Sequence, residues 1–278
     1  MAYKSLMTVI TDEASAAPAL DFALDMARQE QAHLDVLCLG VDRTQAGYYY
    51  GGANALVQQE GLDQARAASE MLETHTREKL GQTEISWGCH AGIAQQAGLT
   101  RTIAFQARFA DLMILPKPYG PNRLQEQEII VEASMFDAHA PVMVVPDNGG
   151  TARPKKIALA WNESAEALRA IRTALPLLQA APSVNITIID PPVHSADRSD
   201  PGGALSQMLA RHGVNAEISI LAKTLPRVSD VLARHIRDIG ADMLVMGAYG
   251  HSRFREAILG GATRDMLEGA EIPVFMAR

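Results

Sequence analysis

Residues 243–263 read Met243-Leu-Val-Met-Gly247-Ala-Tyr-Gly250-His-Ser-Arg-Phe-Arg-Glu-Ala-Ile-Leu-Gly260-Gly261-Ala-Thr263. The apolar run at the start predicts a buried strand, and residues 264–268 after it predict a helix. Glycines where a strand ends and where a helix begins make a loop whose backbone N–H groups can approach an anion closely. The stretch therefore predicts a phosphate-binding loop; the alternative is that its glycines serve only the turns.

The composition is that of a globular protein and narrows the class of partner. The chain has 278 residues, 47% of them hydrophobic and 21% charged, with a net charge of −7. Acidic and basic residues are mixed, so we expect no nucleic-acid partner, and no apolar run is long enough to cross a membrane. The first ten residues lack the organisation of a signal peptide, and Cys38 and Cys89 give no disulfide framework. These features predict a cytoplasmic protein.

Short apolar runs and helical patterns alternate along the whole chain. Such alternation predicts an α/β fold with a parallel sheet and helices on both faces. A proline inside the pattern over 163–179, Pro176, should kink or end that helix early. The predicted strands are 6–10, 34–39, 83–87, 111–115, 141–145, 156–161, 184–189, 216–221, 243–246 and 273–276, and the main predicted helices are 18–30, 54–80, 93–108, 126–139, 163–179, 204–212 and 228–239.

The pattern occurs twice. Ala110-Asp111 precedes a strand, and Pro141-Val lies 31 positions after Ala110. In the same way, Ala241-Asp242 precedes a strand, and Pro273-Val lies 32 positions after Ala241. Residues 146–154 have the composition of a linker. The sequence therefore predicts two domains, 1–147 and 148–278, each a copy of one βα unit.

The glycine pattern resembles the nucleotide loop of the universal stress protein family. That loop has Gly-x-x-Gly, nine residues, then a glycine and a small residue, which are here Gly247, Gly250, Gly260 and Gly261. The resemblance covers nearly the whole chain as two family domains in tandem. It implies two doubly wound five-stranded parallel sheets, strand order 3-2-1-4-5, that pair through their last strands about a pseudo-twofold axis. Members divide into those that bind ATP and those that lack the loop.

The resemblance also implies which residues bind the nucleotide. The four loop glycines would surround the phosphates and ribose, Met246 would line the pocket, and Ala160, Asn162 and the backbone near Ile189 would meet the adenine. The site predicted in this way consists of Ala160, Asn162, Ile189, Met246, Gly247, Gly250, Gly260, Gly261, Ala262 and Thr263. Two positions depart from the family: Asn162 stands where Asp is common, and Gly261 where Ser or Thr is usual. Thr263 could supply the missing hydroxyl.

The first half departs much further from the pattern. The region of Pro116-Lys117 corresponds to Gly247, and bulky residues at 128–131 correspond to the later glycine pair. Of the loop glycines, this half keeps only Gly120. Proline removes a hydrogen-bond donor, and side chains block the close approach that a phosphate needs. We expect this half to bind no ATP and to be a structural partner.

Other chemistry-bearing residues have a structural interpretation beside the functional one. Cys89-His90 could form a metal or nucleophile site, but without further ligands an incidental pair is favoured. Cys38 lies on an apolar strand and is predicted in the core. Asp242 has a twin, Asp111, in the half without the loop, which predicts a structural role such as a strand-end hydrogen bond.

Two loop clusters are open to either interpretation. His251, Arg253 and Arg255 could neutralise phosphate charge, or the arginines could pair with Glu256. The tyrosines 48–50 could cover a ligand or pack between the domains.

The sequence thus predicts an ATP-binding, nucleotide-dependent sensor or regulator, with or without Mg²⁺, and a possible homodimer. Two alternatives stay open: a weak ATP-hydrolysing or nucleotidyl-transfer enzyme on the same fold, and a nucleotide-free scaffold. No catalytic or metal-ligand set is assigned, and efficient turnover is not supported.

Overall fold

Strands and helices alternate through a computed structural model that describes residues 3–44, 53–121, 123–191, 200–248 and 261–278. Up to residue 140 the elements are β1 (Ser5–Ile10), α1 (Glu13–Glu30), β2 (His33–Asp42), α2 (Ala53–Leu80), β3 (Ser86–Gln95), α3 (Leu99–Ala107), β4 (Leu112–Pro116) and α4 (Gln125–Phe136), with a 3₁₀ turn at Gln96–Gly98. The later elements are β5 (Val142–Val145), β6 (Lys156–Ala160), α5 (Ala165–Thr173), α6 (Leu175–Ala180), β7 (Ser183–Ile189), α7 (Gly203–Arg211), β8 (Ala216–Leu221), α8 (Val228–Ile239), β9 (Met243–Gly247), α9 (Ala262–Glu268) and β10 (Val274–Ala277).

The described chain divides into two compact units, Tyr3–Ala140 and Pro141–Arg278. In the N-terminal unit the strand order is β3-β2-β1-β4, with every pair parallel. In the C-terminal unit the order is β5-β10-β9-β6-β7-β8, and only β5 runs antiparallel, along β10. The parallel strands are therefore doubly wound in both units, around β1 in the N-terminal unit and around β6 in the C-terminal unit.

The predicted α/β fold is confirmed, with a difference in strand detail. Strands β6 to β10 have the predicted order 3-2-1-4-5. The last strand of the first repeat, β5, packs in the C-terminal unit and adds a sixth, antiparallel strand there. The N-terminal unit keeps four strands.

The paired aspartates anchor the same joint in both units. The Asp111 carboxylate accepts from the backbone N–H of Lys4 at 2.7 Å and of Ser5 at 3.0 Å. The Asp242 carboxylate accepts from the backbone N–H groups of Lys155 and Lys156, both at 2.9 Å. Each carboxylate thereby satisfies two backbone N–H groups where β1 or β6 starts, one at the first residue of the strand and one at the residue before it. The predicted structural role of both residues is confirmed.

Three predicted boundaries changed. Helix α1 begins after Asp12, whose carboxylate accepts from Ser15 N at 2.8 Å, and Pro18 lies inside it. Strand β3 covers Ser86–Gln95 rather than 83–87, so the helix predicted over 93–108 begins only at Leu99. Parallel pairing with all ten residues of β2 overrides the weak local pattern there. Pro176 does break its helix, into α5 and α6.

Candidate functional site

A cavity of about 120 Å³ lies at the carboxyl ends of three strands in the C-terminal unit. Ala160 ends β6, and its register partners are Thr187 on β7 and Met246 on β9. Since β7 and β9 lie on opposite sides of β6, the winding of the sheet reverses here. Doubly wound sheets bind ligands in the crevice at such a switch point.

Six of the ten predicted site residues line this cavity, and they come from three strand ends and one helix. They are Ala160, Asn162, Ile189, Met246, Gly247 and Ala262. Of the other four, Gly261 occupies the cap position of α9 in an extended conformation (φ −65°, ψ 148°). Thr263 is buried in the first turn of α9. Gly250 and Gly260 lie outside the described residues, as do His251, Arg253, Arg255 and the tyrosines 48–50.

The wall contains six further residues that the sequence did not predict. These are Trp161, Thr187, Val228, Ser229, Leu232 and Met266. Thr187 precedes Ile189 by two positions and so shares its face of β7, which the period of a strand could have shown. Val228 and Leu232 lie four apart on one face of α8, the spacing of a buried helical stripe. The cavity is therefore apolar, with a few hydroxyl and amide groups.

Gly247 has a packing role in addition to its place in the wall. A Cβ at this position would lie 2.4 Å from the amide nitrogen of Ala167 and 2.7 Å from the carbonyl carbon of Glu166. These backbone atoms belong to the first turn of α5, which therefore rests directly on the end of β9. The sequence analysis explained this glycine only by the close approach of a phosphate to the backbone. The structure adds a second reason, because α5 packs too closely on β9 to leave room for a Cβ.

Asn162 shapes the turn between β6 and α5. Its Oδ1 accepts from Ser164 N at 3.2 Å, and Ser164 Oγ in turn accepts from Ala167 N at 3.1 Å as the cap of α5. Such side-chain bonds replace the helix partners that the first N–H groups lack. Asn162 is exposed at the rim of the cavity, and an amide oxygen serves this turn as a carboxylate would.

A buried polar network lies beneath the wall. Thr187 Oγ1 donates to Asn185 Oδ1 at 2.9 Å, and Asn185 Nδ2 donates to Ser219 Oγ at 2.9 Å. His235 on α8 places Nε2 3.2 Å from the same Asn185 oxygen. Burial lowers the pKa of His235 because the imidazolium loses hydration, and the nearby Asp238 opposes that shift. The imidazole is therefore neutral at neutral pH.

The corresponding place in the N-terminal unit is almost filled. It retains about 10 Å³, roughly the room of one water molecule, between the ends of β1 and β4 and the helix α4. Pro116 stands there in place of Gly247, and Ile130 and Val131 of α4 project into the space. The joints at Pro141 and Pro273 align Ile130 with Ala262.

The Cys89-His90 pair does not form a site. Successive residues of a strand point to opposite faces. Cys89 is buried, with its Sγ 3.7 Å from that of Cys38, whereas His90 bonds to Gln106 Oε1 at the surface, 3.0 Å away. Cys38 is fully buried, as predicted. The hydrogen bond between the two thiols lowers the pKa of Cys38, and burial opposes this shift. The same hydrogen bond raises the pKa of Cys89, and burial raises it further.

The described residues contain neither a metal-binding cluster of three or more ligands nor a membrane-spanning helix. Within the described ranges, no group of three or more His, Cys, Asp or Glu side chains is placed to hold a metal ion. Among the helices described, none is long and apolar enough to cross a membrane.

The C-terminal unit matches a known family. Residues 154–278 match the model of the universal stress protein family. This half of the chain is a universal stress protein domain. A curated relative, the universal stress protein Slr1230 of Synechocystis sp., is 32% identical over 76 residues, which are 27% of this chain and 25% of the relative. The aligned segment thus spans about a quarter of the length of that relative.

The likeness of fold extends beyond the universal stress protein domain. A universal stress protein from Archaeoglobus fulgidus matches 98% of this chain and 96% of its own with a TM-score of 0.72, at 13% identity. The described residues of both units therefore have the α/β fold seen in that structure. Another universal stress protein from Archaeoglobus fulgidus, solved in complex with dAMP, aligns with 52% of this chain at 14% identity and a TM-score of 0.28. At that similarity the bound nucleotide is a property of the other protein alone.

Proposed function

We propose that the chain binds one ATP, in its C-terminal universal stress protein domain, and acts as a nucleotide-dependent sensor or regulator of a stress response. The observation that carries the proposal is the cavity at the switch point. It gathers six residues that the resemblance to the universal stress protein family had implied, and it lies where sheets of this winding hold their ligands.

The shape and chemistry of the cavity suit a purine base. Its wall is largely apolar, and a flat aromatic base gains by leaving water for such a surface. A volume of about 120 Å³ is below the roughly 300–1,000 Å³ of a typical complete ligand site, so it accommodates part of a nucleotide. The proposal assigns the base to this space. It assigns ribose and phosphates to Gly247, Gly250 and residues 260–263.

The N-terminal unit takes the part of a structural partner in this proposal. Ile130, Val131 and Pro116 occupy the volume that the C-terminal unit leaves open. The two sequence repeats, 1–147 and 148–278, would then be one nucleotide domain and one degenerate domain. The proposal also covers a cytoplasmic location and a homodimer, and any Mg²⁺ would be bound chiefly by phosphate oxygens.

Calorimetric titration with ATP tests the proposal on three proteins. Wild type should give a saturable isotherm. Ala262→Ile should lower the affinity at least 100-fold, because the larger side chain fills the cavity as Ile130 does in the other unit. Ala204→Ile is the matched control: Ala204, like Ala262, is an exposed alanine in the first turn of a helix, but on α7 outside the cavity wall. It should bind ATP like wild type.

Two outcomes would overturn the proposal. If wild-type protein gives no heat on titration with ATP and carries no copurified nucleotide, the proposal is wrong and the nucleotide-free scaffold is favoured. Release of phosphate well above background by wild type, abolished in Ala262→Ile, would instead favour the ATP-hydrolysing enzyme.

A further inference from the structure

The two cysteines of the chain lie side by side in the N-terminal unit. Cys38 on β2 and Cys89 on β3 have their Sγ atoms 3.7 Å apart, and both residues are buried, with 0% of Cys38 and 5% of Cys89 exposed. The strand register pairs Val36 with Cys89 and Cys38 with Ala91. The two thiols therefore share one face of the sheet, diagonally placed on neighbouring strands.

The hydrogen bonds of the pair hold the sulfurs together without engaging them strongly. Cys38 Sγ donates to Thr76 Oγ1 of α2 at 3.5 Å, which leaves Cys89 as the donor between the two sulfurs. A thiol is a weak donor and its sulfur a weak acceptor, so a ligand that binds sulfur more strongly can displace both bonds. The two sulfurs are close enough to bind one such ligand together.

The diagonal placement disfavours a direct bond between the sulfurs. Diagonal neighbours on adjacent strands have Cα atoms roughly 7–8 Å apart, more than the 4.4–6.8 Å that most disulfides span. One metal ion between the sulfurs relieves this mismatch, since two metal–thiolate bonds of about 2.3 Å separate sulfurs by up to about 4.6 Å. The observed 3.7 Å would then widen by about 0.9 Å.

The number and kind of ligands select the ion. Among the described residues, no group of three or more His, Cys, Asp or Glu side chains is placed to hold a metal ion, so the pair does not match the four ligands that Zn²⁺ takes. Soft thiolates select Cu(I), an ion for which two of them suffice. Arg77, which is shared with Glu73, donates to the Cys89 carbonyl, and its charge helps to offset that of a dithiolate complex.

We propose that Cys38 and Cys89 bind one Cu(I) ion as a two-coordinate dithiolate, a role that lies beyond the proposed nucleotide site. Binding replaces two S–H bonds by two Cu–S bonds and releases two protons to the solvent, with no change of oxidation state at sulfur or copper. The pair lies close to the surface, because β3 is the outermost strand of the described sheet in this unit. Local opening at such an edge lets a small ion reach it.

Oxygen-free titration of the reduced full chain with Cu(I), against a chromogenic Cu(I) chelator, tests the proposal. Wild type should take up one Cu(I) per chain, and X-ray absorption should show two sulfur neighbours around the copper. Excess Zn²⁺ should not displace it. Cys38→Ala and Cys89→Ala should each lower the affinity by more than the roughly 10–100-fold that loss of a residue supporting a metal ligand costs, because each removes a ligand itself.

His90→Ala is the matched control for Cys89→Ala. His90 is the next residue in the sequence but lies on the other face of β3, where it bonds to Gln106, so this variant should bind Cu(I) as wild type does. Urea unfolding shows whether each alanine variant is folded. Cys38→Ser and Cys89→Ser, which keep a polar group of similar size, replace any alanine variant that does not fold.

Four results would overturn the proposal. They are no uptake of Cu(I) by wild type, copper without two sulfur neighbours, an affinity that survives the loss of Cys38 or Cys89, and conversion of the pair to a disulfide in place of binding. None of them bears on the proposed nucleotide site, whose residues lie in the C-terminal unit.

Discussion

A space lies at the carboxyl end of β1 in the N-terminal unit and at the carboxyl end of β6 in the C-terminal unit, beside α4 and α9 respectively. Beneath α4 that space measures about 10 Å³, and beneath α9 about 120 Å³. The surrounding frame is the same: both sheets are wound alike, and an aspartate anchors the same joint in each. Ile130 stands where the other unit has Ala262, and Pro116 where it has Gly247.

This comparison separates the determinants of the fold from those of the site. The carboxylates of Asp111 and Asp242 and the buried strands set the frame, and both repeats keep them. The volume of a few side chains at the strand ends then decides whether the frame encloses a cavity. A repeat can therefore retain its fold while it loses the space for a ligand.

The largest expected effect on stability is that of Ile130→Ala, which cuts away the side chain that fills the N-terminal space. Ile130 is 4% exposed, so the change should lower the free energy of unfolding by about 2–5 kcal/mol, through lost burial and the new cavity. Urea unfolding followed by Trp87 fluorescence, in a Trp161→Phe background, reports on this unit. Ile93→Ala, at a site that is 39% exposed, is the control and should cost much less. A loss below 1 kcal/mol for Ile130→Ala would contradict the filled space.

A smaller effect is expected from Gly247→Ala. The added methyl would meet the backbone of α5, so the helix or β9 must shift, at a cost of about 1–3 kcal/mol. Trp161 fluorescence in a Trp87→Phe background should show the loss in the C-terminal unit. Gly98→Ala, followed by Trp87 fluorescence in a Trp161→Phe background, is the control, because a Cβ there meets nothing within 4 Å. Unchanged stability of Gly247→Ala would mean that phosphate approach alone explains this glycine.

Thr8→Val makes β1 more like β6, which has the apolar Leu159 at the corresponding position. Within the described chain the buried Thr8 Oγ1 has no hydrogen-bond partner. Removing an unsatisfied hydroxyl should raise the free energy of unfolding by about 1 kcal/mol, as measured by urea unfolding. Thr187→Val removes a bonded hydroxyl and should destabilise instead. Destabilisation by Thr8→Val would show that its hydroxyl does have a partner.

The smallest effect concerns Gly261, at the cap position of α9. Its extended backbone suits a serine, whose hydroxyl could accept from the first turn. Gly261→Ser should stabilise the C-terminal unit by a few tenths of a kcal/mol and strengthen ATP binding several-fold. Gly261→Ala lacks the hydroxyl and should gain neither. Equal gains from serine and alanine would exclude capping as the cause.

The frame was predictable because its signals are local and occur twice. Period and β-branched runs predicted nearly every strand, and Asp111 and Asp242 marked the same joint in both halves. Strand β3 was mistaken because its residues are held by pairing with β2, a non-local cause that a window of sequence does not contain. The pairing of β5 with β10 is also non-local, and it was predicted only because the resemblance implies pairing through the last strands.

The site could be predicted only in part. Its strand-end residues follow from the resemblance and lie together, whereas Ser229 and Leu232 come from α8, whose approach to the cavity depends on tertiary packing. The close contact of Gly247 with α5 also required coordinates, since glycine in a loop predicts freedom and not contact.

The stoichiometry of ATP binding tests the central claim most directly. Calorimetry on purified, nucleotide-free full-length protein should give one ATP per chain, since one unit has the open cavity and the other is filled. Ala262→Ile should abolish that single site. Two ATP per chain, or one that persists in Ala262→Ile, would contradict the assignment of the site to the C-terminal unit.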